Sequence, residues 1–136
     1  MQKLYISPTK STPEINFSPE ENIFQIKGTS SPEDVREMYY PVIEWVRIFI
    51  EDLLHGEGAV YTTDNPLKLK VDLEYFNSSS AKFLYDIFND LKKLNDSQIP
   101  YVIEWHYDEQ DTDMLDAGQD IALLVETSFN YIEKNR

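Results

Sequence analysis

Asn77, Ser78, Ser79 and Ser80 set three neighbouring alcohols behind one amide, at the point where two periodicities of the chain meet. Before them, Leu67, Leu69, Val71, Leu73 and Tyr75 alternate with Lys68, Lys70, Asp72 and Glu74, the period of two that marks a strand with one apolar face. After them, Leu84, Ile87, Phe88, Leu91 and Leu94 recur at helical spacing. A hydroxyl at such a junction supports three kinds of chemistry. It caps the helix by accepting a hydrogen bond from a free N–H, worth roughly 1 kcal/mol, a role expected of Ser79 or Ser80. It attacks a carbonyl when a histidine takes its proton, although flanking glycines are missing here and His55 and His106 are the two candidate bases. Or it accepts a phosphoryl group, adding about −1.5 to −2 charges where backbone N–H groups and the helix dipole favour an anion. Lys82 lies four residues beyond Ser78, within reach of such a phosphate, and Asp72, Glu74 and Asp86 would surround it with further negative charge. Residue types alone leave the three open.

The junction needs a scaffold. Leu4 to Ile6 and Glu14 to Phe17 read as edge strands, and Ile23 to Ile26, after the turn-forming Ser18 to Asn22, completes a hairpin. Ser31, Pro32, Glu33 and Asp34 carry the cap, the first-turn proline and the early acids of a helix start. The stripe Val35, Met38, Tyr39, Val42, Ile43, Val46, Phe49, Ile50 and Leu53 continues it, with Pro41 either kinking the helix or marking where its main part begins. Gly56 and Gly58 end it, and His55 to Pro66 reads as a flexible loop. Ile99 to Trp105 has the composition of a strand, Met114 to Leu123 of a helix and Val125 to Ile132 of a closing strand. Helices alternating with the later strands require crossover connections. The expectation is one compact α/β domain over residues 1–136, with a mixed, mainly parallel sheet of about five to six strands and about three helices.

Composition narrows the functions. A chain of 136 residues, 41% hydrophobic, can bury one real core. With no cysteine there is no disulfide, thiolate nucleophile or cysteine-bound metal cluster. The amino end has no apolar run of signal-peptide length and no segment is long enough to cross a bilayer, so a soluble, cytoplasmic protein is expected. A net charge of −13 argues against nucleic acid or an anionic membrane as principal partner. Asp108, Glu109, Asp111, Asp113, Asp116 and Asp120 offer oxygen ligands, but without the glycine and closing glutamate of a calcium loop they read as a solvated, capping segment, and no metal or cofactor is expected. Glu104 and Asp108 flank His106 in sequence without having to converge on it. Trp45 and Trp105 read as core or partly buried interface residues. Tyr39, Tyr40 and Tyr75 suit a core or a partner equally, and Tyr75 is kept as a contact because it adjoins the serines.

The segment VDLEYFNSSSAK at 71–82, with FLYDIF at 83–88, resembles the signature of the SiaC family of bacterial regulatory phosphoproteins, in which a strand runs into an asparagine–threonine–serine–serine sequence and then a helix. STPEINF at 11–17, YPVIEWVRIF at 40–49 and VIEWHYDEQDTDMLDAGQD at 102–120 are similar to it as well, so the likeness spans nearly the whole chain. The resemblance implies a fold similar to anti-sigma-factor antagonists, small α/β domains with an acceptor hydroxyl at the start of a helix. It implies that Ser78, directly after Asn77, is the phosphoacceptor, with serine standing where the family more often has threonine. Asn77, Ser79 and Ser80 become the cap and loop around it, with Tyr75 and Lys82 as contacts for partner or phosphate. It further implies a non-enzymatic adaptor modified by a protein kinase and restored by a PP2C-type phosphatase. The unmodified form would bind and activate a diguanylate cyclase, with cyclic di-GMP as output. The alternative is a small hydrolase or ligand-binding domain that uses the serine cluster with His106.

Overall fold

Period-two segments pair into one six-stranded sheet whose spatial order follows the chain. In the computed structural model, which describes residues 1–135, β1 (Leu4–Ile6), β2 (Glu14–Ser18) and β3 (Ile23–Ser30) run antiparallel. Then come α1 (Val35–Leu54), β4 (Leu67–Phe76), α2 (Ser78–Lys92), a 3₁₀ turn (Lys93–Ser97), β5 (Tyr101–Asp108), α3 (Thr112–Val125) and β6 (Asn130–Lys134). From β3 to β6 every pairing is parallel. The single domain, the mixed sheet and the three helices agree with the reading of the sequence.

Each parallel step moves one strand in the same direction, and right-handed crossovers therefore place all three helices on one face. That face is the core. Phe17, Phe24, Leu69 and Ile103 stand in one row across the strands, and Ile15, Ile26, Val71 and Trp105 in the next, all buried. Tyr39, Val42, Ile43, Val46, Phe49, Ile50 and Leu53 of α1 close over them. Parallel sheets are usually covered on both sides. Here Gln25, Lys70 and Glu104 occupy the opposite face in one row and keep it polar.

Several boundaries differ from those expected, each for a local reason. α1 begins at Val35, not at Ser31, because Asp34 is the residue whose side chain accepts the Glu37 N–H, at 3.1 Å, while the Ser31 N–H is taken by the Ser11 carbonyl at 2.8 Å. Pro41 lies inside one continuous helix. Pro41 and Glu37, the residue that loses its hydrogen-bond partner, are both exposed, so the missing bond falls on the solvent side of the helix. Residues 55–66 are tied down rather than free: Tyr61 is buried and donates to the Pro19 carbonyl at 2.9 Å, and Asn22 donates to Asn65 and Pro66. α3 runs on to Val125 and stops where Glu126 enters the left-handed region, so the closing strand begins at Asn130 instead of Val125.

One irregularity reaches the serine cluster. The β3–β4 register shifts between Gly28 and Thr29, where Gly28 faces Leu73 but Thr29 faces Tyr75, leaving Glu74 as an extra residue in β4. Such a bulge reverses the alternation beyond it. Tyr75, expected in line with Leu73 on the apolar face, is instead 54% exposed, and Phe76 turns inward against Trp105 at 5.8 Å.

Candidate functional site

β4 ends at Phe76 and α2 begins at Ser78, so a single residue, Asn77, makes the connection. Its backbone N–H donates to the Ser30 carbonyl at 3.0 Å, and its side-chain oxygen accepts the Ser80 N–H at 2.9 Å. The cap is therefore Asn77 rather than Ser79 or Ser80. Asn77 wins the role because its extended backbone (φ −88°, ψ 173°) lies just outside the helix, whereas the serines already occupy helical positions.

The three alcohols diverge in consequence. Ser78 and Ser79 are exposed, while Ser80 is 0% exposed and hydrogen-bonded to Ser30. Lys82 is exposed, lies 5.9 Å above the Phe83 ring and makes no ion pair among the described residues. Tyr75 reaches solvent beside the cluster. The mouth of α2 differs from the other two helix starts: α1 has an Asp34 cap and Glu37 in its first turn, α3 has Asp111 and Asp113, but α2 has a neutral cap and no acid. Its positive dipole end is thus left without a charge of its own.

Asp72 does not add to the negative surroundings of the serines as the alternation suggested. It is buried and paired with Lys134 from β6. Asp111 caps α3 by accepting the Met114 N–H at 3.0 Å, and Asp108 accepts the Gln110 N–H at 3.1 Å, which gives the acidic segment its structural work. Ser30 was not visible as a site residue from sequence, and Tyr39 was one of several aromatic residues of either role. Their convergence on Ser80 depends on contacts across up to fifty positions.

His106 stands on the open face of the sheet, its Nε2 3.4 Å from Glu104. Among the described residues no hydrogen bond joins it to Ser78, Ser79 or Ser80, so the serines have no base in contact. Burial lowers the His106 pKa below 6.5, helped by Lys70 and opposed by Glu104 and Asp72. The unfolded chain then binds this proton at higher pH than the folded one. The stabilisation is complete above about pH 6.5 and is lost as pH falls towards the lower, folded value. Urea midpoints taken at about pH 7.5 and about pH 5.5 should fall further for the parent than for His106→Gln; equal falls would contradict this origin.

The site is thus an exposed alcohol at an uncompensated helix mouth on a two-layer α/β scaffold. The chain belongs to the SiaC family: the family described as SiaC family regulatory phosphoprotein matches residues 6–134. An uncharacterized protein of Pseudomonas aeruginosa (strain UCBPP-PA14) is 34% identical over 110 residues, 81% of this chain and 79% of that one. The crystal structure of apo-SiaC from Pseudomonas aeruginosa superposes with a TM-score of 0.78 at 28% identity, covering 99% of this chain and 100% of the other. A chain from the crystal structure of the diguanylate cyclase SiaD in complex with its activator SiaC, from the same organism, gives 0.77 at 28% identity, covering 96% and 97%. Among the described residues no helix is long and apolar enough to cross a membrane.

Proposed function

We propose that this protein is a phosphorylation-switched signalling adaptor of the cytoplasm. A protein kinase transfers the γ-phosphoryl group of ATP to Ser78 Oγ, the serine proton passing to the kinase's base and ADP leaving. A PP2C-type phosphatase hydrolyses the ester and restores the alcohol. The unmodified form binds and activates a diguanylate cyclase, and the chain itself catalyses nothing.

The exposure of Ser78 at the first position of a helix whose mouth carries no acid is the observation that carries this reading. A phosphate there receives backbone N–H bonds and the dipole, with Lys82 one turn further on. The partner class is supported by the SiaC relative, which was crystallised with a diguanylate cyclase that it activates. Intact-mass measurement after incubation with the cognate kinase and ATP should show one added phosphate on the parent and none on Ser78→Ala. A phosphorylated Ser78→Ala protein would remove Ser78 from the switch.

A further inference from the structure

Ser30, Tyr39 and Ser80 are each 0% exposed, and together they form a directed chain of hydroxyls beneath the exposed Ser78. Ser80 Oγ donates to the Ser30 carbonyl at 3.0 Å and Ser30 Oγ donates to Ser80 Oγ at 2.8 Å. Each alcohol has one proton to give. The 2.6 Å contact between Tyr39 and Ser30 Oγ must therefore use the proton of Tyr39. Burial raises the pKa of that phenol, so it stays protonated and able to donate. The Ser30 carbonyl that receives Ser80 also receives the Asn77 N–H. One carbonyl thus joins the end of β3 to the cap and first turn of α2, with α1 attached through Tyr39. The Tyr39 ring grips the same helix again, stacking on Phe83 at 5.4 Å and 8°.

We propose that Ser30, Tyr39 and Ser80 are positioning residues that withhold the third serine and fix the first turn of α2 so that Ser78 is presented as the acceptor. Successive helical residues are about 100° apart, so holding residue 80 inward sends residue 78 about 200° around the axis, towards solvent. The third alcohol is withheld, and the first is presented. None of the three positioning side chains touches the reacting atoms. The proposal rests on Ser78 phosphorylation, in which the bond from Oγ to the γ-phosphorus forms as the bond to ADP breaks.

Tyr39→Phe is the sharpest probe, because it keeps the stack on Phe83 and deletes the donor at the end of the chain. Ser30→Ala is a second, stronger variant that removes the central link. The control is Val125→Ala, which cavitates a buried position at the far end of α3 and lowers melting temperature without touching the chain of hydroxyls. Full-length proteins are incubated with the cognate kinase and ATP, and phosphate is mapped by site. Tyr39→Phe should lower kcat/KM at Ser78 about tenfold, short of the roughly 10²-fold that a misplacement of about 1 Å can cost, and move phosphate onto Ser79 or Ser80. Backbone N–H exchange at Ser80 and Ala81 should quicken. Val125→Ala should leave rate and site distribution at parental values. Identical rates and distributions in Tyr39→Phe and Val125→Ala would overturn the positioning role while leaving Ser78 as acceptor. Undiminished phosphorylation of Ser78→Ala would instead overturn the acceptor reading itself.

Discussion

Ser78→Asp should bind the proposed cyclase partner at least tenfold more weakly than Ser78→Ala, and both variants should melt close to the parent. Stability is spared because the Ser78 side chain is exposed and makes no hydrogen bond among the described residues. Alanine removes nothing structural. Aspartate adds a carboxylate at a helix mouth that has none, worth typically 0.3 to about 1 kcal/mol of extra helix stability. Binding is another matter, since a charge inserted into a docked surface loses water and meets any like charge opposite it. About 1.4 kcal/mol suffices for the tenfold loss, and like-charge juxtaposition across an interface reaches several kcal/mol. The phosphoprotein, with about twice the charge of the carboxylate at neutral pH, should bind more weakly still. Calorimetric titration of the cyclase with parent, Ser78→Ala, Ser78→Asp and phosphorylated protein would give that order. Equal affinity across the four would mean that the partner does not read this surface.

Local pattern carried the sequence reading as far as local forces decide the structure. The alternation of Lys68 and Lys70 with Leu67, Leu69 and Val71 announced a sheet open to water on one side. The stripe from Tyr39 to Leu53 is the buried face of α1, and the strand-to-helix junction that presents Ser78 follows from the change of period at Asn77. Competition between local choices was harder to read. Asn77 and Ser79 are both good caps in isolation, and Asn77 takes the role where the Ser30 carbonyl, beyond the β3–β4 bulge, holds it extended just outside the helix. The same bulge sent Tyr75 outward and Phe76 inward, a reversal that β4 alone does not encode. Nonlocal partners were not legible at all. Asp72 meets Lys134 across 62 positions, and Ser30 meets Ser80 across 50, each through the order of strands rather than any spacing in the chain. Helix α3 ran past its expected end because Glu126, a residue with no glycine-like freedom, takes a left-handed conformation at φ 55°.

The largest stability loss from a one-carbon addition is expected at Gly118, on the face of α3 that meets Trp105. A Cβ there would lie 2.5 Å from the indole Nε1, 2.6 Å from Cδ1 and 2.7 Å from Cε2. The indole has no room to retreat. It is 0% exposed, Phe129 stacks on it at 5.9 Å, Phe76 meets it edge-on at 5.8 Å, and its N–H is held by the Met114 carbonyl at 2.9 Å. Alanine normally gains about 0.8 to 1.0 kcal/mol over glycine in a helix, so the sign depends on which effect is larger. Overpacking a dense core costs about 1–3 kcal/mol and here the obstruction is a ring fixed on several sides. Gly118→Ala should therefore lose up to about 2 kcal/mol net, lowering the melting temperature by several degrees, and Gly118→Val should lose more. The cause can be isolated by pairing the change with Trp105→Phe, which shrinks the obstructing ring. If the clash is responsible, the double variant is less destabilised than the two single losses added together. Strictly additive losses in denaturant titrations would show that Gly118 matters for some reason other than its distance from the indole.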